Sequence, residues 1–151
     1  MQISVHGLPP GLNRHEVAAA ARFYASNLMS PRLVKNLTVS IHFEKTEHDG
    51  SCLAEEFDRP RDFTIYLNKK HKTRKALIAL AHEMVHVKQY ATGELRDYVK
   101  STSLNRWQGK IVDDSKINYW DRPWEIEAFG REFGLYARFK ESTYETKGYK
   151  T

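Results

Sequence analysis

The pattern His82-Glu83-Met84-Val85-His86 combines two imidazoles and a carboxylate at a spacing that suits zinc chemistry. Helical positions four apart differ by about 40° around the axis and by one turn along it, so both imidazoles can reach one zinc ion. Zinc lowers the pKa of a bound water to about 7, and a neighbouring carboxylate can take its proton and pass it to a leaving amine. The spacing predicts His82 and His86 as zinc ligands and Glu83 as the general base.

The alternative for this motif is a pair of structural histidines that meet by chance. The motif lies in a segment from Thr73 to Thr92 with the composition of a helix, and Gly93 follows at the position of a C-cap glycine. Ala76 to Ala81 cover every direction of this helix with apolar side chains, which predicts a central, surrounded helix. Burying two imidazoles there costs free energy unless they find partners, so the context favours metal ligation.

A hydrolytic zinc site needs a third protein ligand and an open fourth position, and a second predicted helix offers that ligand. Pro123 is a first-turn proline, and the helix is predicted from Trp124 to about Phe139. Its apolar arc consists of Ala128, Phe129, Phe133, Tyr136 and Phe139. Glu125 falls in the middle of this arc, and an inward carboxylate needs a partner, which predicts Glu125 as the third zinc ligand. The alternative is a first-turn acid that only benefits from the positive end of its helix.

Two further carboxylates on this helix lead to different expectations. Glu132 lies almost beneath Glu125, where it either orients a ligand histidine or pairs with a buried arginine. Glu127 projects to the opposite side with Arg131 and Arg138, at the spacing of an ordinary exposed ion pair.

The elements that must position these residues are predicted from periodicity and turn signals. A helix is expected from Val17 to Met29, and the alternation of Leu37 to Phe43 predicts a half-buried strand. Ser51 to Phe57 are expected to return as the partner strand of a hairpin, and Phe63 to Leu67 form a third strand. Residues 94–122 are anchored by aromatic side chains but have no assigned structure.

Composition bounds the class of protein. The chain has 151 residues, 40% of them apolar, which suits a single domain over 1–139 followed by a polar tail over 140–151. The one cysteine, Cys52, excludes an internal disulfide and a thiolate cluster, so a metal must be held by histidines and carboxylates. The chain carries 24 lysines and arginines against 19 acidic residues, a net charge of +5. That excess is as typical of solubility as of nucleic-acid binding.

The start of the chain lacks the features of a signal peptide, and no apolar run is long enough to cross a bilayer. The sequence therefore predicts a cytoplasmic protein with no membrane association.

Three smaller groups of residues have two interpretations each. The basic run Lys69 to Lys75 either steers phosphates or acidic substrates to the site or is a solvated loop, and the solvated loop is favoured. Tyr98 and Tyr119 are candidates for donating a hydrogen bond to an oxyanion. The three tryptophans are expected to be core anchors rather than a substrate cage; they are Trp107, Trp120 and Trp124.

The motif His82 to His86, followed by Gln89, and the later segment Pro123 to Ala128 resemble the gluzincin metallopeptidases, especially short SprT-like and phage-encoded zinc peptidases. The likeness covers about residues 60 to 137. A phage-encoded protein of this kind would work in the host cytoplasm.

The resemblance implies a zincin-like domain with specific roles for the matching residues. His82, His86 and Glu125 would be the zinc ligands, and Glu83 would be the general base. In such families an extended substrate pairs along a strand just before the first helix, a place that Phe63 to Leu67 occupy.

Two departures from related families are visible in the sequence. Thermolysin-like gluzincins have an aspartate four residues after the ligand glutamate that supports a zinc-binding histidine, whereas this chain has Phe129. Support for the histidines must therefore come from another residue. Spartan proteins use a third histidine, and no histidine follows His86 here.

The sequence thus predicts an α+β, zincin-like fold, with a small antiparallel or mixed sheet, an N-terminal helix, a central HExxH helix and a C-terminal glutamate-bearing helix. The predicted function is a metallopeptidase with one zinc ion per chain that cleaves a peptide or protein substrate through a zinc-activated water. The alternative is a basic module that binds nucleic acid or a protein partner and has a structural or inactive zinc site.

Overall fold

The computed structural model describes residues 1–97 and 103–146, and these ranges contain seven strands and four helices, which confirms the α+β class. The strands are β1 (Gln2–His6), β2 (Thr38–Glu44), β3 (Gly50–Ala54), β4 (Asp62–Asn68), β5 (Leu95–Asp97), β6 (Leu104–Trp107) and β7 (Lys110–Asp113). The helices are α1 (Arg14–Leu28), α2 (Pro31–Val34), α3 (Thr73–Ala91) and α4 (Pro123–Thr146). No described helix has an apolar stretch long enough to cross a membrane.

The first four strands form a mixed sheet in the order β1-β2-β4-β3. β1, β2 and β4 are parallel, and β3 is antiparallel to β4, with Cys52 opposite Ile65. Alternate residues of β2 and β4 are buried, as the sequence pattern predicted, and they face the helices. α1 and α3 pack against the sheet and against each other, and α4 packs against α3.

The prediction that β3 forms a hairpin with the preceding strand, β2, was wrong. β2 has β1 on one edge and β4 on the other, so no edge of β2 is left for β3, which pairs with β4 instead. β1 was not predicted from the sequence, and its presence determines this order.

The sheet order also corrects the strand that was expected to receive a substrate. The segment Phe63 to Leu67 lies in β4, whose two edges are already paired with β2 and β3. The two edge strands are β1 and β3, and β3 is the one that packs against α3, so the free backbone groups beside α3 belong to β3.

α3 begins at Thr73, as predicted, and ends at Ala91, one residue before the predicted end at Thr92. Its last turn is followed by Gly93, which has a φ of +80°, a conformation that favours glycine. The helix is buried on nearly all sides from Ala76 to Gln89, because the sheet, α1 and α4 surround it.

α4 is longer than predicted. It was expected to end near Phe139 before a polar tail, but it is helical to Thr146, and residues 147–151 lie outside the described ranges. The ring of Phe139 packs against those of Phe23 and Tyr24 in α1, and the Lys140 ammonium contacts the Glu16 carboxylate at 3.1 Å. These contacts keep the second half of α4 docked on α1.

A second, antiparallel sheet of β5, β6 and β7 occupies part of the region that had no predicted structure. Two single-turn 3-10 helices, Asp114–Lys116 and Tyr119–Asp121, lead from β7 to α4. The second of these turns lies beside the start of α4 and brings its aromatic residues to the buried end of that helix.

Candidate metal centre

His82, His86 and Glu125 meet in one buried cluster between α3 and α4. Nε2 of His82 lies 3.0 Å from Oε1 of Glu125, and Nε2 of His86 lies 3.3 Å from Oε2 of the same carboxylate. One ligand atom from each residue lies within 4.8 Å of the other two. The cluster could therefore hold a metal ion.

The distances between these ligand atoms suit a zinc ion. Tetrahedral zinc with bonds of about 2.0–2.1 Å places neighbouring ligand atoms about 3.3 Å apart. The two nitrogen–oxygen distances, 3.0 and 3.3 Å, are close to that value. Two imidazoles and a carboxylate also form a set that zinc binds, so the residues present fit the ion that the sequence predicted.

Glu132 orients His82, the first candidate ligand, through the ring nitrogen Nδ1. Its Oε2 accepts a hydrogen bond of 3.0 Å from Nδ1 of His82, which matches the first of its two expected roles. Both ring nitrogens of His82 face a carboxylate oxygen at 3.0 Å, because Nε2 lies against Glu125. A metal ion bound at Nε2 would leave the proton of neutral His82 on Nδ1, where Glu132 accepts its hydrogen bond. Glu132 thus provides the support that Phe129 cannot.

Gln89 orients His86, the second candidate ligand, and this role was not predicted from the sequence. Its amide nitrogen donates to the carbonyl oxygen of Trp124 at 2.9 Å and to Oε1 of Glu127 at 3.0 Å. Its amide oxygen therefore faces Nδ1 of His86, at 2.8 Å, and must accept from it. Nε2 of His86 is left with a lone pair toward Glu125. The sequence signal that could have shown this role is the position of Gln89, about one helical turn after His86.

Nε2 of each histidine faces an oxygen of Glu125, a group that only accepts hydrogen bonds, so a cation must lie between them. Without a metal ion that cation is a proton. Burial alone would lower the pKa of His82, but hydrogen bonds with Glu125 and Glu132 outweigh it and raise the pKa to about 9. Burial would raise the pKa of Glu125, but hydrogen bonds with His82 and His86 hold it far below its usual range. A divalent cation can replace these protons.

Glu83 lies on the same helix between the two histidines and is buried. Burial raises the pKa of its carboxyl group, and the neighbouring His86 and His82 partly offset that effect. Gly50 of β3 lies close to it: a Cβ on this glycine would stand 3.2 Å from Oε1 of Glu83 and 2.9 Å from the carbonyl oxygen of Tyr66. A carboxylate with a raised pKa is better suited to accept a proton near neutral pH.

Tyr119 reaches the cluster from the turn before α4. Its hydroxyl donates a hydrogen bond of 3.1 Å to Oε1 of Glu125. Tyr98, the other candidate for stabilising an oxyanion, lies outside the described residues.

Three aromatic residues near the cluster are more exposed than predicted. Trp120 is 65% exposed, so its expected role as a core anchor was wrong, whereas Trp124 is buried and Trp107 packs near it. Phe129 and Phe133 were expected to face the core but are 37% and 54% exposed. Phe129 and Phe133 lie on the part of the α4 arc that α3 and α1 leave uncovered, and Trp120 lies in the 3-10 turn before α4.

An open cleft of about 1360 Å³ reaches His82, Glu83 and Glu132 from the solvent. Residues of the basic run also line it, together with Tyr119, Trp120 and Phe129. His82, Glu83 and Glu132 are therefore accessible from this cleft, and all three candidate ligands line a smaller pocket of about 210 Å³.

Glu127 is less exposed than predicted. Its carboxylate is 3.6 Å from Nε of Arg131, the expected pair along α4. The same carboxylate also contacts the Lys88 ammonium at 3.0 Å and the amide of Gln89. Glu127 thus joins α4 to α3 through its contacts with Lys88 and Gln89.

These features define an α+β protein with a buried His-His-Glu group that could hold a metal ion. Comparison of the chain with protein-family models, with curated proteins and with solved structures finds no match. The likeness to gluzincins therefore depends on the residues of this chain alone.

Proposed function

We propose that this protein is a zinc-dependent metallopeptidase of the gluzincin type, with a zincin-like fold and one zinc ion per chain. The main support is the convergence of His82, His86 and Glu125 beside the buried carboxylate of Glu83. Three protein ligands leave a coordination position open, as in catalytic zinc sites, whereas structural sites use four. The cleft gives a substrate access to His82 and Glu83.

The bound zinc would polarise the carbonyl group of the scissile peptide bond and increase the acidity of water. Glu83 takes a proton from the attacking water, whose oxygen bonds to the carbonyl carbon. Glu83 then passes this proton to the leaving nitrogen as the C–N bond breaks. Glu132 and Gln89 keep the two imidazoles in the tautomers that present Nε2 to the cluster.

The free edge of β3 supports a polypeptide as the substrate. An extended chain can add to a sheet edge through backbone hydrogen bonds, whatever its side chains. Gly50 in β3 is close to Glu83, so a strand added there would run beside the general base. A cytoplasmic location is part of this proposal.

The proposal is tested by replacing Glu83 with glutamine and measuring zinc content and peptide hydrolysis separately. We expect Glu83→Gln to retain one zinc ion, because Glu83 is not a ligand, and to lose turnover of a dye-labelled unfolded protein. Glu56→Gln, a change at an exposed residue, is the matched control and should retain both. A Glu83→Gln variant that stays active would contradict the mechanism.

The second candidate is a basic module that binds nucleic acid or a protein through an inactive zinc site. The observation that favours it is the exposure of Trp120 in a cleft that lysines also line. It predicts strong, salt-dependent affinity for DNA and no hydrolysis of any peptide.

A further inference from the structure

Three aromatic residues form an exposed surface beside the metal centre, which we name the aromatic shelf: Tyr119, Trp120 and Phe129. The rings of Trp120 and Phe129 are 5.0 Å apart, and those of Tyr119 and Trp120 are 5.4 Å apart. Phe129 contacts His82, with 4.5 Å between ring centroids. The shelf therefore adjoins a candidate metal ligand.

The shelf leaves a large apolar area exposed to solvent. Trp120 is 65% exposed, and Tyr119 and Phe129 are 42% and 37% exposed. Neighbouring exposed aromatic side chains of this kind are typical of binding surfaces. A large apolar side chain of a bound molecule would cover them.

Two lysines in the same cleft have neither an ion-pair partner nor a cation–π contact among the described residues. They are Lys70 and Lys72, both exposed just before α3. Two nearby cations differ, because Lys75 pairs with Asp49 at 3.5 Å and Arg74 lies over the ring of Phe133. Lys70 and Lys72 are thus available to an anionic group of a bound molecule.

We propose that this cleft selects polypeptide segments that carry both a large apolar side chain and an acidic side chain near the bond to be cleaved. The apolar side chain would lie on the aromatic shelf, and the carboxylate would contact Lys70 and Lys72. This inference rests on the proposed peptidase function and names the substrate class for it.

A polypeptide fits the cleft better than a nucleic acid does. Four carboxylates line the same cleft, and they are Glu47, Asp49, Glu83 and Glu132. A continuous phosphate backbone would have to pass these negative charges, whereas one acidic side chain can contact the two lysines alone. The free edge of β3 also offers backbone hydrogen bonds that suit an extended polypeptide.

The first test is cleavage of a randomised peptide library by the zinc-loaded protein, with products identified by mass spectrometry. We expect cleaved peptides to be enriched in aspartate or glutamate and in large apolar residues. Cleavage without this enrichment would overturn the inference and leave the peptidase function standing.

The second test measures binding and does not require turnover. Zinc-loaded Glu83→Gln protein is titrated into a dye-labelled peptide that contains one phenylalanine and two aspartates, and anisotropy is recorded. We expect tighter binding than with peptides in which lysine replaces the aspartates or glycine replaces the phenylalanine. Tighter binding of single-stranded DNA of equal length would overturn the inference in favour of a nucleic acid.

Variants in the cleft connect each preference to its residues. Joint replacement of Lys70 and Lys72 by glutamate should weaken binding of the acidic peptide about tenfold and favour the lysine peptide. Trp120→Ala should reduce the preference for phenylalanine about fivefold. Lys35→Glu and Phe57→Ala change exposed residues that do not line this cleft and should have no effect. Unchanged preferences in the cleft variants, with zinc content intact, would overturn the assignment.

If no peptide is cleaved, the peptidase function fails, and the binding test still decides whether the cleft prefers segments with an apolar and an acidic side chain. If peptides are cleaved but all bind equally, only the inference fails. The two failures are therefore distinguishable.

Discussion

The amide of Gln89 fixes the orientation of His86 through a hydrogen bond of 2.8 Å between its Oε1 and Nδ1 of the ring. The same amide is fully buried and donates to the carbonyl oxygen of Trp124 in the first turn of α4. One neutral side chain therefore sets the tautomer of a candidate ligand and joins α3 to the helix that provides Glu125.

Replacing Gln89 by leucine should weaken zinc binding by about 10–100-fold, because the imidazole of His86 loses the partner that orients it. The buried carbonyl of Trp124 would also lose its donor, which should lower the free energy of unfolding by about 2–3 kcal/mol. Competition with a chelating dye measures the first effect and urea unfolding the second. Gln2→Leu, at an exposed position of β1, is the control, and unchanged zinc affinity in Gln89→Leu would contradict this role.

Glu132 should contribute to zinc affinity both as a hydrogen-bond acceptor and as a charge. Glu132→Ala removes the acceptor of His82 and should cost about 10–100-fold in affinity. Glu132→Gln retains an acceptor, so its loss should be smaller. Glu141→Ala changes an exposed residue of the same helix and should leave affinity unchanged. Equal losses in the two Glu132 variants would mean that the charge, not the hydrogen bond, supports His82.

Zinc removal should destabilise the protein, because the ion binds a site that exists only when α3 and α4 are packed together. Zinc at a hundred times its Kd adds about 2.7 kcal/mol, which corresponds to about 5–10 °C in Tm for a domain of this size. Calorimetry with and without a chelator measures the shift. Glu125→Ala should show almost no shift, whereas an equal shift in that variant would exclude Glu125 as a ligand.

The central helix and its chemistry were predictable because their signals are local. Apolar composition and a terminal glycine define α3, and the four-residue spacing puts His82 and His86 on one face. The inward direction of Glu125 followed from helical periodicity, and the structure brings it to both histidines. Gln89 was missed because a neutral amide has no pattern of its own, and only the fold brings Trp124 to it.

The strand order was not predictable, because strand pairing depends on contacts between distant segments. The sequence shows that β2 and β4 alternate, but it does not show that β1 occupies the outer edge of β2 and forces β3 onto β4. The exposure of Phe129 and Phe133 has the same cause. Periodicity gives the direction of an apolar arc, and the neighbouring elements decide how much of the arc is covered.

Tyr119→Phe should test whether the hydroxyl supports the cluster. The change removes a hydrogen bond of 3.1 Å to Glu125 but keeps the ring of the aromatic shelf. The loss of one such bond predicts a decrease in zinc affinity of about three- to tenfold, with peptide preference unchanged. Tyr66→Phe, on the sheet, is the control. A decrease in turnover with zinc affinity intact would instead assign the hydroxyl to the reaction.

Cys52 should report on the charge of Glu83 without any substrate. Burial, and next the nearby Glu83 carboxylate, raise the pKa of the Cys52 thiol well above its ordinary value. Few thiols are then ionised at pH 8, so alkylation by iodoacetamide should be much slower than that of a free cysteine. Glu83→Gln removes the negative charge, lowers the thiol pKa and should increase the rate, which mass spectrometry can follow. Glu56→Gln should leave the rate unchanged. An identical rate in Glu83→Gln and the unsubstituted protein would show that Glu83 has no electrostatic influence on the β3 side of the site.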